Sequence, residues 1–154
     1  MPNKETVKTK STRKRVYILA CILGAGLLFL FISRHLAGEG RPTVILNGYG
    51  YNVALAKTPG QLQRGLAGST LLQSNEGMLF EFAEEGQQCF WMKGMLFPID
   101  IIWIDAHKKI TAVHEHATPQ DYPQQYCHQG RYVLEVNAGD VELRNVRVGD
   151  TLSF

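Results

Sequence analysis

Residues 16–32, "VYILACILGAGLLFLFI", run for seventeen positions without a charge, and this stretch divides the chain. Eleven of them are Val, Ile, Leu or Phe. At about −0.3 to −0.6 kcal/mol each, these favour insertion into hydrocarbon by roughly 5 kcal/mol. As a helix the run would reach about 25 Å at ~1.5 Å per residue, a little short of a ~30 Å bilayer core. Tyr17 at the interface and snorkelling of Arg15 and Arg34 make up the difference. Ahead of it, Lys4, Lys8, Lys10, Arg13, Lys14 and Arg15 stand against Glu5 alone, and a basic flank stays cytoplasmic. The expected organisation is a cytoplasmic tail over 1–15, a transmembrane signal-anchor over 16–33, a short linker over 34–40 and an extracytoplasmic domain over 41–154. The chain is then a single-pass protein of the inner membrane, with the bilayer as its partner through residues 16–33. The alternative is a cleaved signal and a periplasmic or secreted product, but His35, Leu36 and Ala37 make a poor small-x-small cleavage site. Cys21 does not fit a lipidation box either, because most of the apolar run follows it.

Beyond Gly40 the charge balance reverses, with 9 Lys and Arg against 12 Asp and Glu. The basic excess belongs to the tail, so a nucleic-acid partner is not expected of the folded part. There the pattern is short apolar stretches separated by turns. "PTVIL" and "YNVALAK" flank Asn47-Gly48, whose residues both tolerate the positive φ of a two-residue hairpin. Thr58, Pro59 and Gln61 form a helix start with a capping box, and Gly65 and Gly68 limit that helix to about two turns. "GMLFEF", "QQCFWMK", "PIDIIWID", "KKITAVHEH", "RYVLEVN" and "DTLSF" read as six more strands, and Gly139-Asp140 opens a short helical turn. The predicted fold class is all-β: a jelly-roll-like sandwich or partly closed barrel with one or two short helices, behind the transmembrane helix.

Within this pattern several charges occupy apolar ground. In residues 99–105 the alternation of a strand puts Asp100 with Ile102 and Ile104. In residues 131–137 it puts Glu135 with Val133. Lys93 ends the strand "FWMK", and Arg64 lies on the short capped helix. A lone buried carboxylate is too costly to persist; it is paired, hydrogen-bonded or protonated. The expectation is that Asp100 and Glu135 meet Lys93 and Arg64 at one end of the sheet beside Trp91, and above all that Lys93 and Asp100 serve each other. Two readings remain open: a pocket, or a structural clasp tying helix and loops to the sheet.

No cofactor or metal is expected. Gly48-Tyr49-Gly50 lacks the third glycine and the helix of a nucleotide loop. His114 and His116 have a ligand-like spacing but no third ligand nearby. Cys127 and His128 are adjacent on an extended chain and point apart, so they cannot work as nucleophile and base. Cys89 and Cys127 suit a disulfide if exported, or two separate buried thiols.

Taken in order, "RGLAG" (64–68), "GMLFEF" (77–82), "FWMK" (90–93), "PIDIIWID" (98–105), "YVLEVNAG" (132–139) and "GD" (149–150) resemble the bacterial and archaeal family catalogued as domain of unknown function 192. The resemblance implies a compact all-β, jelly-roll-like domain, often behind an export signal, with no established reaction or ligand. It also raises the standing of Arg64, Trp91, Lys93, Asp100 and Glu135, each within a motif. The chain departs from the pattern at Gly94-Met95, where the family usually has Asn-Thr. The functional expectation is a membrane-anchored binding or accessory module with a small polar site at those five residues, taking an envelope fragment, a small anion or a protein partner. The alternatives are a hydrolase using Asp100 or Glu135 as acid or base, and a purely structural envelope protein.

Overall fold

The computed structural model describes residues 40–154. The tail and anchor expected over residues 1–33, and most of the linker after them, lie outside the described residues. Among the described residues no helix is long and apolar enough to cross a membrane.

The elements run β1 (Thr43–Leu46), β2 (Tyr49–Ala56), α1 (Pro59–Arg64), β3 (Glu76–Trp91), β4 (Ile99–Ile104), β5 (Ile110–Ala117), a 3-10 turn (Pro119–Asp121), β6 (Gln125–Asn137) and α2 (Asp140–Leu143). The strands form one six-stranded sheet in the order β1-β2-β3-β6-β4-β5. Every pairing is antiparallel except β2 with β3, which are parallel because the chain crosses over through α1. Asn47 (φ 47°) and Gly48 (φ 80°) form the predicted hairpin turn between β1 and β2. The capping box of α1 is also present: Thr58 Oγ1 accepts from the Gln61 N–H, and Gln61 Oε1 accepts from the Thr58 N–H.

The chain is all-β-like, as expected, but the sheet is open rather than a jelly-roll sandwich or barrel, and the strand count falls from eight to six. Two local facts explain the difference. "GMLFEF" and "QQCFWMK" are one strand, because the turn-like residues between them are absorbed as a register irregularity between Glu81 and Gly86 while pairing with β6 resumes beyond. "DTLSF" makes only two isolated bridges, Ile45 with Ser153 and Lys109 with Thr151, touching β1 and the approach to β5 in turn.

The sheet carries a core on each face. Ile102, Ile104, Leu134 and Val136 pack with Val44, Tyr51 and Val53 on one. On the other, Ile99, Ile101, Trp103 and Val133 pack with Phe80, Phe90, Met92 and Met95. β4 is therefore buried at all six positions, and alternation there reports only which core a residue enters. The far halves of β3 and β6 are fastened by a Cys89–Cys127 disulfide between directly opposed residues, Cα–Cα 4.1 Å. It closes a loop of 38 residues. Replacing both cysteines with serine is expected to cost roughly 2–4 kcal/mol in urea unfolding. Because Cys89 is exposed, dithiothreitol should reproduce the loss in the unsubstituted chain.

Candidate functional site

Arg64 closes α1, and the chain reverses at Gly65, whose φ of 52° and ψ of −137° suit glycine. A Cβ there would lie 3.3 Å from the Phe80 ring and 4.0 Å from Glu135 Oε2, so this bare turn sits directly over both. Across from it, β3 ends at Trp91, and residues 92–95 form a tight turn in which the Met95 N–H donates to the Met92 carbonyl (3.2 Å). Gly94 holds φ 74° at its third position. Glycine takes that conformation without the strain a side chain would bring. The Gly68 N–H donates to the Gly94 carbonyl (2.9 Å), which ties the two walls together.

Between these walls lies a cavity of about 100 Å³. Phe80, Phe90, Leu66 and Met95 give it an apolar lining, and Arg64, Trp91, Lys93 and Glu135 supply its polar and aromatic groups. Phe80 and Phe90 meet edge to face at 4.8 Å. Arg64 and Lys93 are exposed at the rim, and no ion pair joins either to a described acid. Trp91 is 40% exposed, whereas Trp103 is fully buried with its indole N–H on the Gln88 carbonyl.

Glu135 is the unusual member. It is 5% exposed, and its Oε2 has no hydrogen-bond partner. Burial alone pushes its carboxyl up to about 8, so it is protonated at neutral pH and has a proton to donate. Four of the five expected site residues thus line one cavity.

Asp100 is not among them, and the expected Lys93–Asp100 pair is absent. The register explains why: Asp100 pairs with Val136 and Ile101 with Glu135, so the two acids project from opposite faces of the sheet. Asp100 is fully buried. Its Oδ1 accepts from the His116 N–H (2.8 Å) and its Oδ2 from the Val141 N–H (2.9 Å). The first donor lies beside the β4–β5 irregularity, where His116 has φ 57°; the second is in the first turn of α2. Asp100 is a clasp made to backbone, not to lysine.

Behind the same face lies a cluster the sequence did not suggest. Tyr51, Asp140 and Arg144 come together there with their polar atoms buried, and burial with the Asp140 charge pushes the Tyr51 phenol up to about 12. The Arg144 guanidinium stacks 3.7 Å from the Tyr49 ring centre. Spacing links Tyr49 with Tyr51 on a strand and Asp140 with Arg144 on a helical turn, but not one pair with the other. His114 stacks on Tyr126 at 3.7 Å, and burial lowers its imidazole from the ordinary range.

With this geometry in place, the family model for domain of unknown function 192, described as an uncharacterised ACR, matches residues 43–154. The chain belongs to this family. Its fold is similar to the crystal structure of a candidate transcription regulator from Sinorhizobium meliloti, with 32% identity over 72% of this chain and 89% of that one, TM-score 0.67. It is also similar to a protein of unknown function from Novosphingobium aromaticivorans, at 27% identity over 73% and 82% of the two chains, TM-score 0.67. No curated protein matches the chain. Within the family pattern, "RGLAG" and "FWMK" are the two walls of the cavity, and "YVLEVNAG" brings Glu135 to its floor.

Proposed function

We propose that this chain is a membrane-anchored, extracytoplasmic binding module whose ligand occupies the cavity between α1 and the end of β3. The observation that carries this reading is Glu135: a buried acid with an unused oxygen, lining a cavity rimmed by two cations that have no acidic partner among the described residues. A group left unsatisfied in this way costs stability unless something else takes it up. An exposed tryptophan beside an apolar lining adds a surface for a ligand's carbon skeleton. Anchorage rests on the uncharged run behind a basic tail, and a disulfide fits an oxidising compartment.

The hydrolytic alternative loses Asp100, whose two oxygens are taken by backbone N–H groups, and rests on Glu135 alone. The balance of 9 basic against 12 acidic residues beyond Gly40 does not favour nucleic acid as the partner in a regulatory role like the one named for the S. meliloti protein.

Trp91 provides the test. Titration of the full chain with small anions and soluble envelope fragments should give a saturable change in tryptophan fluorescence. The change should vanish in Trp91→Phe, and Lys93→Ala should weaken it about tenfold, as loss of a charge-assisted contact does. A flat response to every probe would remove the reading.

A further inference from the structure

We infer that the cavity takes a small monocarboxylate, one oxygen of which accepts a hydrogen bond from the Glu135 carboxyl while Arg64 and Lys93 balance its charge. This rests on the proposed binding role and narrows it to one ligand chemistry. Three features select the class. The floor offers the Glu135 carboxyl, whose Oε2 is unpartnered beneath the Gly65 turn and which retains its proton at neutral pH. The rim offers positive charge, and a guanidinium and an ammonium both hold carboxylates well. The walls offer hydrocarbon, from Phe80, Phe90, Leu66 and Met95. A phosphate would meet that wall with polar oxygens and gain nothing from it. A neutral amide or alcohol would leave both cations unused.

The cavity is small, about 100 Å³, so short-chain acids are the probes to use.

The arrangement also makes binding depend on pH. The charged groups facing the cavity are Arg64 from the end of α1 and Lys93 from the turn after β3. β3 presents Phe80, β4 presents Ile101 opposite Glu135, and Asp100 lies on the other face. Once Glu135 ionises, its oxygens and the ligand's become like charges in contact. The competent fraction of protein then falls with the protonated fraction of this one group.

The test is calorimetric titration of the full chain with acetate, propionate, butyrate, butyramide and inorganic phosphate at pH 6 and pH 9. The expected result is that butyrate or propionate binds at pH 6 and about tenfold more weakly at pH 9, with butyramide and phosphate much weaker. In Glu135→Gln the amide keeps a donor that does not titrate, so carboxylate binding should persist and become equal at the two pH values. Phosphate or butyramide binding as well as butyrate would overturn the carboxylate assignment while leaving a binding pocket standing. So would wild-type binding that ignores pH, or a pH dependence that survives in Glu135→Gln. Failure of all five probes, together with a flat Trp91 fluorescence response, would bring down the proposed function itself.

Discussion

Asp100→Ala should destabilise the protein by roughly 3–6 kcal/mol, the sum of two charge-assisted hydrogen bonds of about 1.5–3 kcal/mol each. The carboxylate holds the His116 N–H at a strand irregularity and the Val141 N–H at the start of α2, and it is fully buried. Removing it leaves both donors in the core without an acceptor, which is the expensive way to lose a hydrogen bond. Asp100→Asn should cost somewhat less, because one amide oxygen still accepts while the NH₂ faces a donor. Lys93→Met should be near neutral in the same urea titrations, since Lys93 is exposed and has no acidic partner among the described residues. The double variant Asp100→Asn with Lys93→Met should then be additive within about 0.5 kcal/mol. Coupling of 1 kcal/mol or more would mean that the two charges do serve each other and that the backbone clasp is only part of the account.

How far the sequence alone led is visible in these same residues. The hairpin at Asn47-Gly48, the capping box at Thr58 and the helical turn after Gly139 were legible because each depends on a few adjacent residues and their dihedral preferences. The union of Arg64, Trp91, Lys93 and Glu135 was legible only as a guess about which charges had no local explanation. Asp100 was misplaced because alternation gives the two faces of a strand, while register decides which faces coincide. Asp100 sits opposite Val136 and Ile101 opposite Glu135. That offset of one residue separates the acids by the thickness of the sheet. The strand count failed for a related reason: an irregularity and a turn look alike in composition, and only the partner strand distinguishes them. In the buried set of Tyr51, Asp140 and Arg144, the i, i+4 spacing of the last two is legible, but Tyr51 joins them from β2 through topology alone.

Relative to Glu135→Gln, the wild-type protein should lose stability as pH rises from about 4.5 to about 8. The folded carboxyl titrates near 8 against an ordinary 4.5, because burial disfavours its charged form. Below about 4.5 both folded and unfolded chains hold the proton, and the group is neutral in its effect. Between the two values the folded chain keeps a proton that the unfolded chain has released. Unfolding therefore releases a proton, and each rise of one pH unit costs about 1.4 kcal/mol. Over the whole window the loss is roughly 5 kcal/mol, of which about 3 kcal/mol is already gone at pH 7. Above 8 the folded carboxyl is also ionised and this contribution becomes level. Urea midpoints for wild type and Glu135→Gln at pH 5, 7 and 9 isolate the effect, since every other titrating group is common to both. The two should agree within about 1 kcal/mol at pH 5, where an acid and an amide of the same shape meet the same surroundings. The variant should be the more stable by several kcal/mol at pH 9. Parallel curves would mean that water or another group already satisfies Glu135, and the cavity would lose its donor. A diverging pair would establish a carboxyl that works against the fold at neutral pH, as expected where a residue serves a ligand rather than the core.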